Sequence, residues 1–148
     1  MVKNVLVPTD GSTHAQKAID LACDIAMKYD AKVYLLHVVS KTAIPEWVRE
    51  YVKSERIEGS TEKAYWDLVG KRIIEAAERQ VKAKGLKYSE SMVAEGDPTE
   101  KILQYAKNNS VDMIVIGSRG LGDVMGKLLG SVSHKVCSMS ECTCVTVK

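Results

Sequence analysis

Gly117-Ser118-Arg119-Gly120, then nine further residues, then Gly130-Ser131, stand directly behind the apolar run Met113-Ile114-Val115-Ile116. The chemistry these residue types allow is anion binding. Gly117 and Gly120 lack a Cβ, so a chain leaving a strand can turn sharply there and bring its amides close to a ligand. Gly130-Ser131-Val132-Ser133 offers free N–H groups, two hydroxyls and the positive end of a helix. A second unusual stretch, Pro8-Thr9-Asp10-Gly11-Ser12, places a carboxylate and two hydroxyls just after another apolar run.

Two better-known phosphate motifs are imitated and fail on spacing. Gly122-Asp123-Val124-Met125-Gly126-Lys127-Leu128 has three residues between its glycines where a P-loop has four, and Leu128 replaces the metal-binding hydroxyl. Gly120-Leu121-Gly122-Asp123-Val124-Met125-Gly126 resembles a dinucleotide fingerprint, but its last glycine comes one residue late. No acidic residue follows at the end of another strand, so NAD is not supported. The four cysteines do not form a redox or zinc motif, because Cys142-Thr143-Cys144 is a C-x-C and only His134 stands near the cluster. Buried or half-buried thiols are the expected state of Cys23, Cys137, Cys142 and Cys144, with a metal or redox role as the alternative.

These residues need a scaffold, and the apolar pattern supplies one. Val2 to Val7, Lys32 to Val39, Tyr88 to Ala94, Asp112 to Ile116 and Thr143 to Val147 read as five short strands. Between them, Ala15, Ala18, Ile19, Ala22, Ile25, Ala26 and Trp66, Val69, Ile73, Ile74, Ala77, Val81 recur at helical spacing. A third helix is announced by Asp97-Pro98-Thr99-Glu100, with Asp97 as cap, Pro98 at the first helical position and Glu100 completing a capping box. Alternating β and α elements argue for a parallel sheet covered on both faces, an α/β three-layer arrangement. In such sheets ligands bind at the carboxyl ends of strands where the strand order reverses. If the first and fourth strands are neighbours, the Pro8 and Gly117 loops line one crevice. Thr42 to Thr61, with Trp47 and Tyr51, is longer than an ordinary connection and reads as a surface excursion, a cover or a subunit contact.

Length and charge bound the partners. A chain of 148 residues fits one domain that buries roughly 70% of its unfolded surface, without disulfides or metals. The net charge of +2 arises from 21 basic and 19 acidic residues, interspersed, so nucleic acid is not an expected partner. The amino-terminal apolar stretch is short for a signal peptide and no window approaches a membrane span, so a cytoplasmic location is expected.

The pattern G-x-x-G-x9-G-S after a buried strand resembles the ATP-binding motif of the universal stress protein family. Val5-Leu6-Val7-Pro8-Thr9-Asp10-Gly11-Ser12, His37-Val38, and the run from Gly96-Asp97-Pro98 to Gly120 agree with it, so the likeness covers the chain except Thr42 to Thr61. The resemblance implies a single-domain αβα sandwich, with five parallel strands in order 3-2-1-4-5, and a homodimer joined through the last strands. It also implies ATP, with Mg²⁺ or Mn²⁺ as candidate cations, between strands one and four. Carried over by position, Pro8, Thr9, Asp10, Val38 and Ile116 would surround the adenosine, and Gly117, Arg119, Gly120, Gly130, Ser131, Val132 and Ser133 the ribose and phosphates. Asp10 can accept from ribose hydroxyls or from the adenine amine, and the residue type does not choose between them. The chain departs from the family at Thr143, where a proline is usual after the cysteine. Three activities fit: a nucleotide-dependent regulator of a stress response, a slow ATP hydrolase or phosphotransferase using Asp10 or Asp123, and a dimeric interaction module independent of ATP.

Overall fold

The computed structural model describes residues 1–40, 50, 53–55, 61–87, 89–120 and 130–148. Most of the 42–61 excursion, and the interior of the glycine loop with its P-loop-like Gly122 to Leu128, lie outside the described residues. The elements follow one another as β1 (Asn4–Pro8), α1 (Thr13–Tyr29), β2 (Lys32–Val39), α2 (Thr61–Ala83), β3 (Ser89–Glu95), α3 (Pro98–Asn108), β4 (Met113–Gly117), α4 (Ser131–Met139) and β5 (Thr143–Val147). The five strands form one sheet in the order β3-β2-β1-β4-β5, with every pairing parallel.

Strand alternation divides the core into two halves. Val5 and Val7 of β1, Val33 and Leu35 of β2 and Val115 of β4 face α1 and α2, where they meet Ala18, Ile19, Ala22, Ile74, Ala77 and Val81. Leu6, Tyr34, Leu36, Ile114 and Ile116 face the other way, onto Ile102 and Ala106 of α3 and Val136 of α4. Val5, Leu6, Val7, Val33, Leu35 and Val115 are wholly buried, which explains their near-continuous apolar runs. Each large buried side chain contributes about 1.5–3 kcal/mol through removal from water.

Local signals start and stop the helices. Ser12 caps α1, its hydroxyl accepting from the Ala15 amide at 3.2 Å, and Asp30 ends the helix in the left-handed region at φ 52°. The alanines on the inner side of α1 bring it close to the sheet. Asp97 caps α3 by accepting from the Glu100 amide at 2.9 Å, with Pro98 in the first turn, as its sequence predicts. β3 is a sheet edge, as the expected strand order implies, and is exposed along most of its length, with Met92 and Val93 half in solvent. β5 pairs in step with β4, from Met113 opposite Thr143 to Gly117 opposite Val147.

Candidate functional site

β1 lies between β2, which continues the chain on one side, and β4 on the other, so the strand order reverses at β1. The loops leaving β1 and β4 therefore open at the same carboxyl edge. Pro8 and Ile116 are buried and Val38 is half-buried at the ends of three adjacent strands. Val38 and Ile116 belong to the α3/α4 face. Pro8 follows Leu6 by two residues and shares that face by alternation. Together they make an apolar floor.

The turn after β1 is held from several sides. The Thr9 amide donates to the Leu36 carbonyl at 2.8 Å, and the Thr9 carbonyl lies 2.8 Å from Nδ1 of buried His37. A carbonyl can only accept, so Nδ1 carries the proton in this contact. Asp10 is half-buried, and its Oδ1 accepts from the Ser12 amide at 2.9 Å, closing an Asx turn into the α1 cap. Gly11 sits at φ +81°, a conformation that favours glycine. A carboxylate has acceptor capacity for more than one donor, so the turn bond leaves Asp10 chemically suited to a hydroxyl or amine.

Behind β4, Ser118 joins four parts of the molecule. Its amide donates to the Val147 carbonyl at 2.7 Å, anchoring the end of β5. Its carbonyl accepts from the Gly130 amide at 2.6 Å and from the Ser133 hydroxyl at 3.0 Å. Its own hydroxyl lies 2.9 Å from Nδ1 of His14 in the first turn of α1. Ser118 is 1% exposed, so these bonds are shielded from competing water. The two ends of the glycine loop, Gly117–Gly120 and Gly130–Ser133, are thus pinned side by side.

Gly117 is required for packing as much as for turning. A Cβ there would stand 2.8 Å from the His14 carbonyl carbon and 2.9 Å from the Ala15 nitrogen. The first turn of α1 rests against this position because glycine occupies it.

The start of α4 suits an anion. Its cap is Gly130, which supplies no side-chain acceptor, and the N–H groups of Ser131, Val132 and Ser133 have no intrahelical partner by helix geometry. Ser131 is exposed and Val132 and Arg119 are half-exposed, whereas Ser133 is 3% exposed. The Ser133 hydroxyl points inward, its single proton directed at the Ser118 and Gly130 carbonyls, both at 3.0 Å. It acts on the loop's shape through these two bonds. Gly120 closes the described part of the first limb. His14, His37 and Ser118 are the positioning residues that sequence reasoning left without a role. His37 and Ser118 stood inside the quoted motifs, but nothing local to His14 announces a partner more than a hundred positions away.

A groove of about 530 Å³ between the ends of α3 and α4, lined in part by Leu103, Lys107, Met139 and Cys142, lies at the amino ends of β4 and β5. It shares no residue with the crevice. Among the described residues no helix is long and apolar enough to cross a membrane.

A doubly wound parallel sheet in the order β3-β2-β1-β4-β5, with two glycine-bounded limbs at its switch point, defines a single-domain, three-layer α/β protein. The universal stress protein family model matches residues 1–148, and the chain belongs to that family. It is 34% identical to the universal stress protein YxiE of Bacillus subtilis (strain 168), each chain covered over its full length. The solved structure of the universal stress protein UspA from Lactobacillus plantarum is 26% identical and superimposes with a TM-score of 0.75, covering 99% of this chain and 98% of that one. A universal stress protein solved in complex with cAMP is 25% identical, with a TM-score of 0.69 over 99% of this chain and 96% of that one.

Proposed function

We propose that this chain binds ATP in the β1/β4 crevice and serves as a nucleotide-dependent regulator. The observation that carries the reading is the junction at Ser118, which sets the uncapped start of α4 beside the Gly117 turn. In this reading the adenine and ribose lie on Pro8, Val38 and Ile116, with Thr9 and Asp10 supplying polar contacts. The phosphates face Gly117, Arg119 and Gly120 on one limb and, on the other, the amides of Ser131, Val132 and Ser133, with Gly130 lining the approach while its own amide holds the Ser118 carbonyl. A helix start with unpaired N–H groups favours an anion by its partial positive charge, and Arg119 adds a full charge. A divalent cation such as Mg²⁺ or Mn²⁺ would offset phosphate charge. The cAMP-bound relative supports an adenine nucleotide as the ligand class. Nucleotide contacts made in only one arrangement of the site would shift the population towards that arrangement and change the surface offered to a partner. The reading includes a cytoplasmic homodimer joined through β5.

Gly130→Val tests the site. Gly130 has φ −69° and ψ 160°, backbone angles that valine adopts without strain, so the variant is expected to fold. Its side chain would intrude at the start of α4, and ATP affinity measured by calorimetry is expected to fall by at least about tenfold, a loss of about 1.4 kcal/mol. Unchanged affinity would overturn the placement. Parallel titrations with ADP, AMP and cAMP, with and without Mg²⁺, rank the ligands, and phosphate release from the same samples separates a regulator from a hydrolase.

A further inference from the structure

Cys137 and Cys144 lie on different elements, α4 and β5, and their sulfurs approach to 2.6 Å. Both side chains are half-buried and pack against the apolar cluster under α3 and α4. A disulfide bond is about 2.05 Å long, so closing it asks for a movement of roughly half an ångström between elements already in contact. Cys142 is engaged elsewhere. Its sulfur lies 3.3 Å from the Ser140 hydroxyl, its amide donates to that hydroxyl at 3.2 Å, and its carbonyl accepts from it at 2.9 Å. Cys23 is wholly buried across the sheet, and burial pushes its thiol up to about 11, which leaves it inert.

We propose that Cys137 and Cys144 form a reversible oxidation site, closed to an intramolecular disulfide by a low-molecular-weight disulfide as oxidant. One protein thiolate attacks the oxidant, forming a mixed disulfide and releasing one small thiolate. The second protein thiol, deprotonated, attacks the protein sulfur of that mixed disulfide and expels the second small thiol. Two protein thiols lose two protons and two electrons, and one small disulfide is reduced to two thiols. Burial, and then the contact with Cys137, hold the Cys144 thiol far above the ordinary range, so the exchange is slow at neutral pH and accelerates with alkalinity. The bond would tie α4 to the sheet edge, and it forms or fails regardless of whether the crevice takes nucleotide.

The reduced full-length chain is incubated with oxidised glutathione at about pH 8, where thiolate is more abundant, and its remaining thiols are then alkylated in denaturant. Trypsin leaves Cys137, Cys142 and Cys144 on one peptide after Lys135, whereas cleavage after Glu141 separates Cys137 from the other two. The expected result is a fall in free thiols from four to two, with the peptides on either side of Glu141 still joined. The joined peptides persist in Cys142→Ser, and dithiothreitol restores all four thiols of the parent chain. The thermal midpoint of the oxidised form should rise by about 5 °C, the size expected for closing a short loop in a domain of this length. Four alkylated thiols after equilibration, a glutathione adduct as the end product, or loss of the joined peptides in Cys142→Ser would each overturn the assignment.

Discussion

Gly117 shows how one missing methyl sets the geometry of the crevice. The atoms that a Cβ would meet are backbone atoms of His14 and Ala15, which cannot swing away as a flexible side chain would. Gly117→Ala is therefore expected to push the first turn of α1 off β4 and to cost about 1–3 kcal/mol, as overpacking does elsewhere. Urea unfolding should show the loss as a lower midpoint with little change in slope. The Thr9–Ser12 turn feeds that same end of α1, so nucleotide affinity should fall with it. An unchanged midpoint would mean that α1 does not rest on Gly117 in solution. His37 makes the converse point, because its value lies in a hydrogen bond to the Thr9 carbonyl that no neighbouring residue in the chain foretells.

Elements are aligned at the opposite edge of the sheet by a polar clamp. The Asp112 carboxylate accepts from the Lys3 amide at 2.8 Å and the Asn4 amide at 2.9 Å, while the Asp112 amide donates to the Asn4 carbonyl at 2.9 Å. These two amide donors, Lys3 first, hold the carboxyl below the usual carboxylate range, outweighing the desolvation that opposes them, with a lesser contribution from the chain's amino group. A depressed folded pKa stabilises the fold above the unfolded value, about 3.9, and that contribution is lost as pH falls through the folded value. Asp112→Asn should therefore be less stable than the parent at neutral pH, and the gap should close as pH falls below about 4. Denaturant midpoints at a series of pH values measure this, and a gap independent of pH would reject the clamp. The clamp also accounts for a boundary shift. Asp112 reads as the first residue of a strand, yet β4 begins at Met113 because Asp112 is spent on the turn.

At the scale of the whole molecule, the proposed assembly turns on the outer edge of β5. The Val147 carbonyl faces Ser118 at the end of β4, so by alternation the backbone groups of Thr146 face away from the sheet. If two copies pair through β5 as proposed, Thr146→Pro removes an outward donor while sparing the ladder to β4. The expected outcome is a monomer by analytical ultracentrifugation with a near-parental far-UV spectrum, where the parent sediments as a dimer. A parent that is monomeric, or a variant that stays dimeric, would move the interface elsewhere.

The three-layer α/β class and the strand order were reachable from the chain, the class from alternation of apolar runs and the order from the resemblance its motifs carry. Periodicity and caps are local properties. The spacing of Ala15, Ala18, Ile19 and Ala22, the Asp97 cap and the glycines at each end of the loop act over a few residues, where sequence speaks directly, whereas the Ser12 cap of α1 came from the structure. The edge position of β3 came with that order, but the register by which it pairs with β2 depends on neighbours that other segments provide. The inward turn of the Ser133 hydroxyl, the Ser118 junction, the His14 and His37 contacts and the meeting of Cys137 with Cys144 were likewise settled only by tertiary structure. Each depends on which rotamer a side chain takes once distant elements have packed around it, and that choice is made by the neighbours rather than by the residue.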